Sequence, residues 1–417
     1  MDARTARGYK KEDWVKLASD IEDKIEGKLF INGEYVDAED GGVIEVINPA
    51  TNEVCGTCAA GTVKDIDKAV AAAKESYKAR TWLKMAPRKR MSIMMKFSDL
   101  VKKNTAELAL LDSLNMGKPI SDCVSVDVPA SAVTIRFMAE CIDKIYGKVA
   151  NTHEKALNLS IREPYGVVGL ISPWNYPLLM GVWKLAPALA AGNSIVLKPD
   201  EHSPHSLIKL AQLFVEAGGP PGVFNVVSGH GEEAGQALAL HQDVSKIGFT
   251  GSTEVGKLLL QYAGQSNMKK VSLETGGKSP MIYFADLPDM DLAVETAYDS
   301  IYANMGEVCN AGSRIYVERS IYSDFVDQFV EQGQGAYTPG DPLDPETNMG
   351  PLVTAQAQKR VLGFIESGKN EGASLKFGGN IPSGLDGGFY VEPTLFSDVN
   401  NDMTIGREEI FGPVASI

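Results

Sequence analysis

One thiol stands where a chain would place a nucleophile. Met305-Gly306-Glu307-Val308-Cys309-Asn310-Ala311-Gly312-Ser313-Arg314 is a small-residue loop between a helical segment and the strand-like Arg314-Ile315-Tyr316-Val317. The thiolate is the nucleophilic form of cysteine, and flanking glycines let a substrate and a backbone N–H approach the sulfur closely. A buried small hydrophobe is the competing reading of any free cysteine. Upstream, Leu273-Glu274-Thr275-Gly276-Gly277-Lys278-Ser279-Pro280 sets a carboxylate beside a Gly-Gly turn, which suits it to activating water near that sulfur. Cys309 is thus the candidate nucleophile and Glu274 the candidate base.

The elements that must position these two residues can be read from periodicity. Five short strands, Val167 to Ser172, Ser194 to Lys198, Phe224 to Ser228, Lys246 to Thr250 and Lys270 to Glu274, alternate with four helical segments. Strict alternation predicts parallel strands joined by crossovers, hence an α/β fold with a doubly wound sheet, whose ligands bind beyond the C-terminal strand ends. Those ends carry Pro173-Trp174-Asn175-Tyr176-Pro177, Lys198-Pro199-Asp200-Glu201, Gly251-Ser252-Thr253 and Glu274-Thr275-Gly276-Gly277. Gly251-Ser252 opening a helix offers N–H groups to a phosphate, or is an ordinary N-cap; Lys198 and Glu201 suit ribose hydroxyls, or a solvated turn. No G-x-G-x-x-G fingerprint is present, so any dinucleotide is held differently from the usual Rossmann enzymes.

N-terminal to this region, Asn32-Gly33 predicts a hairpin over 28–36, followed by a strand from Glu53 to Ala59 that carries Cys55 and Cys58. That C-x-x-C spacing lacks a second pair of ligands and reads as coincidence. Amphipathic helices are expected over 63–79, 87–103 and 106–114, and a long one from Asp127 to Ile145. Gly147 to Ile161 reads as two short strands outside any layer, the form of an oligomer arm. His202 and His205 make an H-x-x-H pair with no third ligand and are expected at the surface. No metal site is expected.

Composition narrows the partners. Two domains are the prior for 417 residues, and the net charge of -14 argues against nucleic acid and anionic membranes, leaving small molecules. Five cysteines, an odd number, suit a reducing compartment. The N-terminus has no apolar signal core and no apolar run is long enough for a bilayer, so a cytoplasmic protein is expected.

Six motifs together, Pro173-Trp174-Asn175-Tyr176-Pro177, Gly192-Asn193-Ser194-Ile195-Val196-Leu197-Lys198-Pro199, Gly248-Phe249-Thr250-Gly251-Ser252-Thr253, Glu274-Thr275-Gly276-Gly277-Lys278-Ser279-Pro280, Cys309-Asn310-Ala311-Gly312-Ser313-Arg314 and Glu408-Glu409-Ile410-Phe411-Gly412-Pro413, resemble in type and order those of the aldehyde dehydrogenase superfamily. The resemblance spans nearly the whole chain. It implies a nicotinamide-binding domain (1–143 and 162–275), an oligomerisation arm (144–161) and an α/β catalytic domain (276–417). It also implies Cys309 as nucleophile, Glu274 as general base and Asn175 as oxyanion donor. Ser172, Trp174, Lys198, Glu201, Gly251, Ser252, Glu409 and Phe411 fall to the cofactor, NAD, with NADP a possibility, and a homodimer or homotetramer is implied. Glu307 stands where many members carry Gln, and its carboxylate would disfavour the thiolate; Thr275 stands where Leu is common and would set a hydroxyl beside the base.

Within the superfamily the chain is most similar to γ-glutamyl-γ-aminobutyraldehyde and related aminoaldehyde dehydrogenases, with Tyr176, Met180 and Trp183 as tunnel candidates and core packing as their competing reading. Alternatives are a CoA-acylating or phosphorylating relative, a betaine- or aliphatic-aldehyde enzyme, or an inactive nucleotide-binding relative. A Cys/His hydrolase is disfavoured because no histidine signature accompanies Cys309. The chain ends at Ile417 on an apolar strand, and the resemblance implies a sequence truncated at its C-terminus, with an incomplete catalytic domain.

Overall fold

The computed structural model describes residues 3–417; Met1 and Asp2, part of the N-terminus read above for a signal, lie outside the described residues. A seven-stranded sheet runs in the order Lys270–Thr275, Lys246–Gly251, Val167–Ile171, Ser194–Lys198, Phe224–Val226, Leu29–Ile31 and Glu34–Val36. The first five are parallel. Val167–Ile171, Ser194–Lys198 and Phe224–Val226 are buried at every residue, as parallel strands covered on both faces must be. The last two are the Asn32-Gly33 hairpin, added antiparallel through Phe30 opposite Val226. The sheet is therefore mixed rather than purely parallel. Its two-residue turn, with Asn32 at φ 55° and Gly33 at φ 87°, can only return the chain antiparallel.

Spatial order reverses between Val167–Ile171, the first parallel strand in sequence, and Lys246–Gly251, the fourth, placing a crevice at their C-terminal ends. Helix Val63–Ala79 packs Ile66, Ala69, Val70 and Ala73 on one face of the sheet. Helix Pro87–Lys103 and its neighbours cover the other, where Trp82, Phe97 and Phe224 stack edgewise on Phe214. Both helices have the bounds their apolar spacing predicts, and the next runs Thr105–Met116. The expected helix from Asp127 to Ile145 begins earlier and ends sooner: a π turn at Cys123–Asp127 leads into Val128–Glu140. Residues 143–149 are exposed, so no packing prolongs it.

A second sheet orders Pro280–Tyr283, Arg314–Val317, Val414–Ser416, Thr394–Ser397 and Ser374–Phe377, with only the last pair antiparallel. Tyr302, Phe325, Phe329 and Phe377 form an aromatic core beneath it. Lys148–Ala150 and Asn158–Ser160 make an isolated antiparallel pair, exposed at every residue. No described helix is long and apolar enough to cross a membrane.

Candidate active site

The thiol loop is built from its N-terminal side. Helix Met290–Tyr302 ends in a 3-10 turn, Ala303–Gly306, in which Asn304 (φ 48°) and Met305 (φ 57°) are both left-handed. Left-handed non-glycine residues cost about 1–3 kcal/mol each, so something must hold them. The Asn304 amide donates to the Asn175 and Glu307 carbonyls, both at 3.2 Å, and Met305 is 1% exposed in the core. Gly306 follows at φ 71°, where a Cβ would strike the Gly412 carbonyl. Three residues on, Cys309 is exposed, and beyond it Gly312 N–H donates to Ser300 Oγ at 2.9 Å.

Asn175 belongs to this knot. Its side chain is 5% exposed, and its Nδ2 donates to the Glu307 carbonyl at 2.7 Å, which fixes the amide beside the Cys309 loop. Glu274 arrives from the edge strand Lys270–Thr275, in register with Thr250 and exposed. Thr275, its neighbour, turns to the other face, where its methyl abuts Gly256 of helix Thr253–Gln265. Alternation thus removes the expected hydroxyl from the side of Glu274.

Glu307 corrects a second expectation. It is fully buried; Oε1 accepts from Val353 N–H at 3.2 Å and Oε2 has no hydrogen-bond partner among the described residues. Burial pushes its carboxyl well above the ordinary value, which favours the uncharged acid, the form that does not oppose a thiolate.

Lys184 went unread in the sequence although it is the only charged residue of helix Pro177–Ala190. It lies in electrostatic reach of both Glu274 and Cys309, and burial lowers its ammonium to about 8 against their pull. Tyr176 also feels Cys309, and its ring lies over Lys118 Nζ, 3.4 Å from the centroid. Lys118 is in turn fixed by a buried ion pair to Asp127 at 2.6 Å. Met180 is half-buried, whereas Trp183 is 56% exposed.

A ledge lies at the neighbouring strand ends. Lys198 Nζ, buried, meets Glu201 Oε2 at 2.8 Å, and His230 Nδ1, from the loop after Phe224–Val226, faces Glu201 Oε1 at 3.5 Å. Ser172 N–H donates to the Lys198 carbonyl at 3.0 Å. Ser252 caps helix Thr253–Gln265 through Val255 N–H at 3.2 Å, leaving first-turn N–H groups without helical partners. A Cβ on Gly251 would run into the Phe249 ring, and the buried Thr250 hydroxyl beside it has no partner among the described residues. Across the cleft Glu409 Oε1 accepts from Gly277 N–H at 3.2 Å, a Cβ on Gly276 would fall on that carboxylate, and Phe411 meets Trp174 edge-on at 5.5 Å. Such a set can hold ribose hydroxyls at the carboxylate and a phosphate at the helix start.

The paired histidines and cysteines are structural. His205 is 1% exposed rather than at the surface, its Nε2 3.0 Å from the Thr57 carbonyl and its Cε1 where a Cβ on Gly56 would fall; His202 pairs with Asp200 at 2.6 Å. Burial pushes the Cys55 and Cys58 thiols up to about 12. Among the described residues, no three His, Cys, Asp or Glu are grouped to hold a metal.

An exposed thiol on a loop tied to a buried amide, with an exposed carboxylate on the edge strand of the first sheet, is a set suited to covalent catalysis. The aldehyde dehydrogenase family profile matches residues 35–417, and the chain belongs to that family. It is 47% identical over 390 residues to the NADP/NAD-dependent aldehyde dehydrogenase PuuC of Escherichia coli, covering 94% of this chain and 78% of that protein. Among solved structures, γ-glutamyl-γ-aminobutyraldehyde dehydrogenase from Burkholderia cenocepacia superposes with a TM-score of 0.95 at 47% identity, covering 98% of this chain and 82% of the other. The P. syringae indole-3-acetaldehyde dehydrogenase AldA, in complex with NAD+, does so with a TM-score of 0.96 at 48% identity and the same coverage.

Proposed function

We propose that the protein oxidises an aldehyde, best an aminoaldehyde such as γ-glutamyl-γ-aminobutyraldehyde, to its carboxylate with NAD, through a covalent adduct on Cys309. The observation that carries this is the exposed Cys309 thiol on a loop knotted to Asn175, with Glu274 and Lys184 in one electrostatic neighbourhood. Relatives with aminoaldehyde and NAD in their names support the substrate and coenzyme.

Cys309 attacks the carbonyl carbon, and the oxyanion of the thiohemiacetal takes hydrogen bonds from the Asn175 amide and the Cys309 N–H. A bound nicotinamide would supply the hydride acceptor. Collapse to the thioester leaves an acyl group that water cleaves after Glu274 takes its proton, returning the thiolate. Lys198 and Glu201 bind the ribose, with Ser172 and Trp174 beside them; Gly251 and Ser252 receive the pyrophosphate; Glu409 and Phe411 line the nicotinamide end. In domain terms, 1–143 and 162–275 hold the coenzyme, 276–417 the thiol, and 144–161 forms an arm. Its apolar residues Val149, Leu157, Leu159 and Ile161, 55–75% exposed, suit a cover provided by a second copy. Free cysteines and the absence of a membrane-crossing helix among the described residues support a cytoplasmic place.

Steady-state kinetics of wild type and Cys309→Ala against γ-glutamyl-γ-aminobutyraldehyde, 4-aminobutanal and propanal test the reading. Loss of about 10⁴-fold or more in kcat is expected for the variant. Substantial turnover by Cys309→Ala would refute the nucleophile, and no advantage of the amino and acylamino aldehydes over propanal would refute the substrate.

A further inference from the structure

Glu201 has two carboxylate oxygens and two cationic or donor neighbours. Oε2 is held by Lys198 from within the sheet, and Oε1 is faced by His230 from the solvent side, with the histidine side chain 55% exposed. The histidine comes from a different loop, which is tightly fixed. Gly229 runs at φ 149°, where a Cβ would meet the Gly61 carbonyl at 2.6 Å, and the His230 carbonyl accepts from the Glu233, Ala234 and Gly235 N–H groups at 3.0–3.3 Å. Asp200, the nearest other carboxylate on the Glu201 segment, is tied to His202 at 2.6 Å. Glu232 and Glu233 follow His230 but are exposed.

A lone carboxylate at a ribose ledge repels a 2′-phosphate, since two like charges a few ångströms apart oppose one another. This ledge is not a lone carboxylate. We propose that His230 is the residue through which it admits the 2′-phosphate of NADP, so that one ledge serves both coenzymes. With NAD, Glu201 accepts from the ribose hydroxyls. With NADP, Glu201 stays on Lys198 through Oε2, and the phosphate takes the Oε1 side, held by the imidazole N–H. The inference rests on the assignment of Lys198 and Glu201 to the adenosine ribose.

Isothermal titration calorimetry with 5′-AMP, 2′,5′-ADP and inorganic phosphate tests it without turnover, since the two nucleotides differ only by the group in question. Wild type binds 2′,5′-ADP within about tenfold of 5′-AMP; His230→Leu weakens 2′,5′-ADP by about tenfold, or about 1.4 kcal/mol, and changes 5′-AMP by less than about twofold. His230→Arg strengthens 2′,5′-ADP, which shows a gain that a damaged fold would not give. If Glu201→Gln weakens 5′-AMP while His230→Leu leaves 2′,5′-ADP unchanged, or lowers both nucleotides alike, His230 has no such role and the ribose reading stands. If Glu201→Gln leaves 5′-AMP unchanged, the ribose reading and the proposal fall together. Inorganic phosphate binding as tightly as 2′,5′-ADP, and lost in His230→Leu, overturns it in favour of a free-phosphate site.

Discussion

The Lys198–Glu201 ledge is assembled from charges already paired to one another, at the end of a strand buried at every residue. The Cys309 loop, a few strand ends away, is assembled from two left-handed residues and three amide hydrogen bonds, and it leaves its sulfur exposed. The ledge is preorganised by the sheet, so a ligand arriving there orders little. The loop stores backbone strain against a small buried polar knot, so anything that unties the knot moves the nucleophile. Changes at the ledge should therefore alter affinity, and changes around the loop should alter rate.

The largest rate effect short of removing the thiol is expected from Glu274→Gln. It should keep a first burst of reduced coenzyme while lowering the steady state by about 10²–10⁴-fold. Stopped-flow absorbance checks it, and a lost burst would place Glu274 in the first half-reaction. Asn304→Ala should follow. Deleting an amide that makes two buried hydrogen bonds, at about 1 kcal/mol each, should lower stability by about 2 kcal/mol. Measured by urea unfolding and kcat, it should slow turnover without changing 5′-AMP affinity; a matching loss of affinity would break the contrast between ledge and loop.

Lys184→Met sharpens it. The Lys184 ammonium ionises near 8, so wild-type kcat should inflect there and the variant's profile should not. An unchanged profile would remove Lys184 from the neighbourhood of the reacting groups. The smallest effect is expected from Glu307→Gln. The Glu307 carboxyl ionises above its ordinary 4.5, so its contribution to stability is full below that value and is lost as pH rises through the folded-state value. Glutamine keeps the acceptor for Val353 N–H and cannot ionise, so the variant should gain stability over wild type at pH 9 relative to pH 5, read as the difference in thermal midpoints. Equal midpoint differences at the two pH values would contradict a neutral buried acid.

The order of motifs, the alternation of strand and helix, and the bounds of helices Val63–Ala79 and Pro87–Lys103 were legible in the chain. They follow from local periodicity and from unusual residues gathered at strand ends. The same local signals drew attention to Cys309, Glu274, Lys198 and Glu201, because small residues and charges after apolar strands stand out without knowledge of their neighbours. What lay out of reach was set by contacts distant in sequence. Burial by segments remote in sequence raises the Glu307 carboxyl, while Val353, 46 residues away, supplies the one N–H that pulls it the other way. Thr57 and Gly56 decide that His205 is buried. The pleat turns Thr275 away from Glu274, the lack of packing beyond Glu140 ends a helix that its own pattern would continue, and Phe30 opposite Val226 makes the sheet mixed. Sequence determined which residue types stand at the strand ends, since that is a matter of order along the chain. Only the tertiary structure decided their charge, exposure and partners, because those depend on dielectric and distance, which the chain acquires when its remote segments meet.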